Sequence, residues 1–200
     1  PFQPTVGKYT GNYILMLSTS KAFSYAGERC AVLGISNKLA ERRYPDLKEF
    51  CGQDIFARGI IFGALHPLSS GTSHSAQYAV AGVMKAVNDG TYNYRDDVLE
   101  YGEKAKMMKD AFTSNGFKFT YDEDLGEPIA DGFYFTYYYP GFTGAELLEK
   151  MLYYGISAIS LDTCGSTRQG IRACTSLIQR DEIPVLAERL KRFAEDHPIK

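Results

Sequence analysis

Two short apolar runs near the N-terminus, separated by a small polar segment, constrain the fold of this chain more than any other feature. The runs are residues 13–17 and 30–35, and Ser18-Thr-Ser-Lys21 follows the first directly. A continuous apolar run of about five residues is typical of a strand buried on both faces, as in the parallel sheets of α/β proteins. The sequence therefore predicts a strand, a functional loop and a second strand.

The rest of the chain predicts helices alternating with short strands. Alanine-rich residues 76–87 predict one helix, and residues 95–114 predict a long amphipathic helix because their apolar side chains recur at steps of three and four. Beyond Gly116 the predicted order is strand, strand, helix, strand, strand, helix. Thr143 begins a capping box, and Asp181 is the predicted cap of the final helix. This order is typical of a compact α+β lobe.

The overall composition argues against several kinds of partner. The 200 residues carry a formal charge of -2, and the isoelectric point is near 6.0, so there is no basic field for nucleic acid or anionic lipid. The apolar runs are much shorter than the roughly 20 residues of a membrane span, and no signal-peptide pattern is present. The four cysteines lack metal-ligand spacing and are predicted to be free, buried thiols. These features predict a cytoplasmic protein with no metal, nucleic-acid or membrane partner.

Lys21 is distinguished from the other lysines by its position. It follows a predicted buried strand and two hydroxyl residues, and the next charged residue is Glu28. A lysine in such a place is expected to be partly desolvated, which favours the neutral amine that a nucleophile needs. The sequence therefore makes Lys21 the first candidate for a catalytic residue.

The segment around Lys21 resembles the lysine signature of class I/II aminotransferases, which are fold-type-I pyridoxal-phosphate (PLP) enzymes. Ser-x-Ser-Lys is followed by Phe23 and Gly27, and Arg29 stands eight positions after the lysine, as in that signature. Ala31 departs from the pattern, because the family usually has glycine there. The resemblance implies an α/β fold in which residues 1–95 are the C-terminal portion of the PLP-binding large domain. Residues 96–200 would then form a small α+β domain that includes the bridging helix.

The resemblance also implies a role for each residue of the signature. Lys21 would be the Schiff-base lysine and the proton shuttle. Ser18 and Arg29 would bind the cofactor phosphate, as a hydroxyl donor and a two-pronged guanidinium. Ser20 would either contact the phosphate or support the loop.

Arg172 is a second candidate, on a late strand predicted over residues 170–176. An arginine in an apolar, β-prone run is costly unless it has a partner. Aminotransferases of this class place an arginine on a late strand of the small domain to grip the α-carboxylate of the substrate, and the resemblance gives this role to Arg172. The alternative is a structural ion pair on a half-exposed strand. Arg168, two residues before the strand, is predicted to be a loop charge.

The resemblance implies a substrate pair and an oligomeric state as well. An amino acid and a 2-oxo acid would be the substrates, and the full-length enzyme would be a homodimer. The aspartate that pairs with the pyridine nitrogen lies upstream of the lysine in this family, and residues 1–12 contain no aspartate. The chain is therefore expected to be a fragment that is inactive alone.

Other functions remain open at this point. A PLP-dependent β-eliminating lyase would share Lys21 and Arg172 with an aminotransferase. A non-catalytic interaction module would need neither residue for chemistry. Ser18 to Lys21 also satisfies the Ser-x-x-Lys pattern of penicillin-binding proteins and β-lactamases. That interpretation is disfavoured because no Ser-Asp-Asn or Lys-Thr-Gly follows and because the motif should open a helix.

Overall fold

A computed structural model describes residues 5–124, 126–128 and 132–199 of the chain, which divides into two units. The units are Pro1–Tyr92 and Asn93–Lys200. Both combine helices with antiparallel strands, and the predicted mixed α/β class is confirmed. The assignment of residues 1–95 and 96–200 to a large and a small domain stays a prediction.

The first unit consists of one hairpin and several helices. Its helices and strands are β1 (Ile14–Ser18), α1 (Thr19–Ala22), β2 (Ala31–Ile35), α2 (Asn37–Ala40), α3 (Leu47–Cys51), α4 (Phe56–Gly59), a π-helical run (Ile60–Leu65), α5 (His66–Ser69) and α6 (His74–Asn88), with 3-10 turns at Val6–Lys8 and Ala26–Glu28.

Strands β1 and β2 form a two-stranded antiparallel sheet that runs from the Ile14–Ile35 pair to the Ser18–Ala31 pair. The predicted burial of the first strand on both faces is wrong for this chain, because Leu15 and Met16, which point to opposite faces, are 50% and 78% exposed. An apolar run shows which side chains a strand could bury, but they are buried only where another element packs against the strand.

A small core ties the hairpin to α6. Buried Cys30 packs with Ala76 and Val80 of this helix, and Phe23 and Tyr25 pack against the same cluster. The connection between the two strands is therefore anchored on a fifteen-residue helix.

The second unit begins with the predicted long helix and ends with the predicted last one. Its helices and strands are α7 (Tyr94–Thr113), β3 (Lys118–Phe119), β4 (Glu123–Asp124), β5 (Glu127–Pro128), β6 (Tyr134–Tyr138), α8 (Gly144–Tyr153), β7 (Ile159–Ser160), β8 (Ile171–Cys174) and α9 (Ile183–Asp196), with a 3-10 turn at Arg180–Glu182.

Four of these strands form one antiparallel sheet in the order β3-β6-β8-β7. One face of the sheet carries buried side chains that alternate along the strands, among them Phe135, Tyr137, Ile171 and Ala173. They pack in one core with residues of α7, α8 and α9. The tyrosines at 137 and 139 are thus core residues.

The two predicted helix caps had different outcomes. The capping box at Thr143 is confirmed, since its hydroxyl accepts from the Glu146 N–H while the Glu146 carboxylate accepts from the Thr143 N–H. The cap at Asp181 is wrong. Asp181 lies inside a 3-10 turn, and the box is formed by Gln179 and Glu182. The extra turn moves the start of the helical segment two residues upstream.

Candidate active site

The connection between β1 and β2 holds every cofactor-binding residue that the sequence predicted. Ser18 ends β1, and Ser20 and Lys21 lie on α1, a single helical turn that contacts both strands and the 3-10 turn Ala26–Glu28. Arg29 follows that turn directly. A Ser-x-x-Lys acyl-transferase would need its serine at the start of a helix. Ser18 does precede α1, but this helix ends after four residues.

Thr19, which no sequence motif singles out, fixes the shape of this connection. Its side chain is fully buried, and its hydroxyl donates to the Cys30 carbonyl oxygen at 2.5 Å. Its own carbonyl oxygen accepts from the N–H groups of Phe23 and Tyr25. In the sequence, Thr19 appears only as a hydroxyl residue at the variable position of Ser-x-Ser-Lys. A hydroxyl at that position can belong to a buried anchor or to a surface residue, so the sequence does not distinguish the two.

Lys21 is exposed on α1. The partial desolvation expected for it is therefore not present in this chain. Desolvation depends on what covers a side chain, and the apolar strand before the lysine is itself largely exposed.

Arg29 adopts the left-handed backbone conformation, with φ 51°. Ser24, in the same connection, has φ 52°, and among the described residues Ser70 is the one further non-glycine residue with a positive φ. Such conformations cost about 1–2 kcal/mol for a residue with a Cβ. Left-handed strain concentrated next to candidate functional groups is typical of a site whose geometry is imposed by function. Gly27, the glycine of the signature, does not have a positive φ.

The donor set of this connection suits an anionic aldehyde such as PLP. It supplies a primary amine at Lys21, hydroxyls at Ser18 and Ser20, and a guanidinium at Arg29. That guanidinium donates to the Ala26 carbonyl oxygen at 2.9 Å, and this bond uses one of its five N–H donors. The amine can condense with a carbonyl group, and the remaining donors can bind a phosphate.

Arg172 lies on β8 in the second unit, opposite Thr136 of β6 and Ile159 of β7. Its side chain is half-buried, and its Cζ atom lies 4.2 Å from the centroid of the Tyr134 ring. Among the described residues, no carboxylate or carbonyl oxygen accepts a hydrogen bond from its guanidinium. The structural ion pair considered as an alternative is thus not formed within this part of the chain.

Arg168 differs from Arg172 in having partners. Its guanidinium donates to the Thr120 carbonyl oxygen at 2.8 Å and lies 4.7 Å from the centroid of the Tyr121 ring. It therefore joins the loop before β8 to the end of β3, as a structural residue.

A cleft of about 570 Å³ opens beside β8 in the second unit. Its lining includes Arg172, Ile159 and Leu186.

Across residues 5–124, 126–128 and 132–199, no group of His, Cys, Asp or Glu side chains could hold a metal ion. No helix in those ranges has the length and apolar character that a bilayer crossing requires. Cys30 is buried, whereas Cys164 and Cys174 are exposed free thiols, so the predicted burial of all four is wrong.

No protein-family model matches the sequence, and no curated protein matches it. Solved structures do match the fold. An aromatic aminotransferase from Pyrococcus horikoshii matches 92% of this chain and 43% of its own, with a TM-score of 0.65 and 16% identity. An alpha-aminoadipate aminotransferase from Thermus thermophilus, in complex with N-(5'-phosphopyridoxyl)-L-leucine, matches 92% and 42%, with a TM-score of 0.62 and 17% identity.

A third match has a different reaction in its name. The L-threonine-O-3-phosphate decarboxylase from Porphyromonas gingivalis matches 91% of this chain and 46% of its own, with a TM-score of 0.55 and 17% identity. The chain spans less than half the length of each of these proteins. It therefore has the aminotransferase fold, over the extent expected for the C-terminal half of such an enzyme.

Proposed function

We propose that this chain is the C-terminal part of a PLP-dependent aminotransferase in which Lys21 carries the cofactor. One observation carries the proposal: the connection between β1 and β2 gathers an amine, two hydroxyls and a guanidinium on one anchored segment. The aminotransferase fold supports it independently. In this proposal residues 1–95 complete a large domain and residues 96–200 form a small one.

The residues of the connection bind different parts of an anionic cofactor. Ser18, Ser20 and Arg29 bind the phosphate, and the anchor at Thr19 fixes the backbone that carries Lys21 relative to Cys30, next to Arg29. When bound, PLP supplies an electron sink for the carbanion formed at the substrate Cα. Lys21 holds and moves the proton at that carbon, as a general acid and base.

Arg172 binds the α-carboxylate of the amino acid and of the 2-oxo acid. A half-buried guanidinium without an acceptor among the described residues is suited to an incoming anion, and its planar donors match a carboxylate. In the complete enzyme, Arg172→Leu is expected to lower kcat/KM by about 10- to 100-fold while PLP absorbance is retained. Unchanged kinetics would remove this role from Arg172.

The complete enzyme is proposed to be a homodimer, and the missing part of the fold is proposed to supply the rest of the active site. Residues 1–12 contain no aspartate for the pyridine nitrogen. The isolated chain is therefore expected to bind PLP weakly and to show no measurable transamination. Tight PLP binding with turnover by the 200 residues alone would contradict the proposal.

The direct test is to identify the lysine that PLP modifies. Incubation of the complete enzyme with PLP, reduction with borohydride and peptide mapping should give a label at Lys21. Lys21→Arg, which keeps the charge but cannot attach the aldehyde, should give none. A label at Lys8 or Lys38 with Lys21 unmodified would exclude the assignment.

A PLP-dependent β-eliminating lyase is the second candidate, because it would use the same lysine and the same arginine. The match to a decarboxylase shows that this fold is not restricted to aminotransferases. Lys21 and Arg172 would have the same functions in both reactions, so the chain's own residues do not separate them. An assay of the complete enzyme with a panel of amino acids, with and without 2-oxoglutarate, decides between them. Product formation that requires the 2-oxo acid indicates transamination, and formation without it indicates a lyase.

A further inference from the structure

The guanidinium of Arg172 lies over an aromatic ring from the neighbouring strand. Its Cζ atom lies 4.2 Å from the centroid of Tyr134. Arg172 pairs with Thr136 across the sheet, so Tyr134, two residues earlier on β6, is a diagonal neighbour on the same face. The stack therefore lies on the face opposite the buried core residues of this sheet.

We propose that Tyr134 is a positioning residue for carboxylate recognition by Arg172. This inference rests on the proposed function, in which Arg172 binds the substrate carboxylate. In this proposal the guanidinium lies parallel to the ring of Tyr134, which covers one of its faces and restricts its plane. The N–H donors lie in that plane, so stacking leaves them available to a carboxylate that approaches edge-on.

Stacking also removes part of the conformational cost of binding. A free arginine side chain samples many rotamers and loses them when it binds a carboxylate in a fixed geometry. A guanidinium already held on a ring has fewer rotamers to lose. The cation–π attraction between the two groups acts before the carboxylate arrives and persists after it binds.

The position of Tyr134 separates this role from ordinary core packing. Tyr137, which faces the core, is fully buried, whereas Tyr134 is 37% exposed. Tyr138 shares the outer face with Tyr134 and is the other diagonal neighbour of Arg172 on β6. No stacking of Arg172 on Tyr138 is found among the described residues, so Tyr138 is a matched control.

The test measures carboxylate binding by the 200-residue chain without PLP. The ¹⁵N-labelled chain is titrated with propionate, and the Nε–Hε NMR signal of Arg172, assigned by its loss in Arg172→Lys, is followed. Tyr134→Leu is expected to weaken propionate binding about 3- to 10-fold. Tyr134→Phe, which keeps the ring, and Tyr138→Leu, which removes an unstacked ring, are expected to bind like the unaltered chain. The Arg172 signal should also lose its ring-current shift only in Tyr134→Leu.

Each outcome bears on the inference. Equal propionate affinity in Tyr134→Leu and the unaltered chain would overturn it, as would an equal loss in Tyr138→Leu. No response of Arg172 to propionate in the unaltered chain would overturn both the inference and the role of Arg172. The Lys21 labelling test is separate, so an enzyme whose Lys21 is not modified can be distinguished from one in which Tyr134 has no effect.

Discussion

At the scale of single residues, the candidate cofactor site combines an anchor with strain. Thr19 holds the connection between β1 and β2 through a buried hydroxyl that donates to the Cys30 carbonyl oxygen. Arg29, at the other end of the connection, has a left-handed backbone that glycine would adopt at lower cost. This strain is compatible with the proposed phosphate-binding role, which requires the arginine side chain.

Two substitutions at Arg29 distinguish the effect of backbone strain from the effect of losing the side chain. Arg29→Ala and Arg29→Gly both remove the guanidinium and its hydrogen bond to the Ala26 carbonyl oxygen, but only alanine keeps the left-handed penalty. We expect the glycine variant to have a free energy of unfolding about 1 kcal/mol higher than the alanine variant, measured by urea denaturation. Both variants should lose PLP affinity to the same extent in the complete enzyme. Equal stability of the two would show that Arg29 is not strained.

At the scale of secondary-structure elements, close contact at Gly170 sets the start of β8. Gly170 has φ +141°, and a Cβ atom there would lie 2.3 Å from the Tyr137 carbonyl oxygen. The preceding Gln169 accepts the Gly144 N–H at the start of α8 with its side-chain oxygen at 2.7 Å. This junction of β6, β8 and α8 is two residues from Arg172, so it fixes the strand that presents the guanidinium.

Gly170→Ala is expected to lower the free energy of unfolding by about 3 kcal/mol or more, because the methyl group meets backbone atoms that cannot move independently. The matched control is Gly102→Ala, inside α7, where the added Cβ meets open space. That variant should be more stable by about 0.5–1 kcal/mol. Urea denaturation followed by circular dichroism measures both changes. A Gly170→Ala variant as stable as the unaltered chain would contradict the described contact.

The capping box of α8 predicts a dependence of stability on pH. The pKa of Glu146 is held below its ordinary value of 4.5, first by the hydrogen bond from the Thr143 N–H and then by the Thr143 hydroxyl. A carboxylate whose pKa is lowered by folding contributes stability above its unfolded pKa, and the contribution disappears as the pH falls through the folded pKa.

Glu146→Gln should therefore reduce the loss of stability between neutral pH and a pH well below 4.5. Glu149→Gln, which changes an exposed carboxylate outside the capping box on the same helix, is the matched control. The measurement is the midpoint of urea unfolding at each pH. Identical pH profiles for Glu146→Gln and the unaltered chain would show that the box does not lower the pKa of Glu146.

At the scale of the whole molecule, the two units have very different cores. The second unit buries aromatic and aliphatic side chains from α7, α8, α9 and the four-stranded sheet, including Phe112, Tyr137 and Phe193. The buried cluster of the first unit contains Cys30, Ala76 and Val80. A two-stranded sheet with exposed apolar side chains on both faces is marginal by itself. In the complete enzyme, we expect other parts of the fold to cover it.

Amide hydrogen exchange of the 200-residue chain should show this difference directly. Strands β1 and β2 are paired over five residues, and β6 and β8 over four. The number of paired residues therefore gives no reason for slower exchange in the second unit. We expect β6 and β8 to exchange at least about 100-fold more slowly, because their opening requires unfolding of a packed core. Similar exchange in the two sheets would contradict the inference that the first unit is incomplete in this chain.

The sequence by itself determined the features that depend on local periodicity and fixed spacing. Residues 95–114 were predicted as a helix and form α7, and the box at Thr143 is present, because both signals involve neighbours within one or two turns. The segment that holds Lys21 was predicted from the same kind of local signal, since its residues are close in sequence, and its role stays a prediction. The aminotransferase fold that the lysine signature implied is confirmed.

Only the tertiary structure decided burial, pairing and contacts between distant residues. Exposure of Lys21 depends on what covers β1, the anchor at Thr19 depends on an acceptor eleven residues away, and the stack of Arg172 on Tyr134 joins two strands across the sheet. These features arise from long-range packing, to which local periodicity is insensitive.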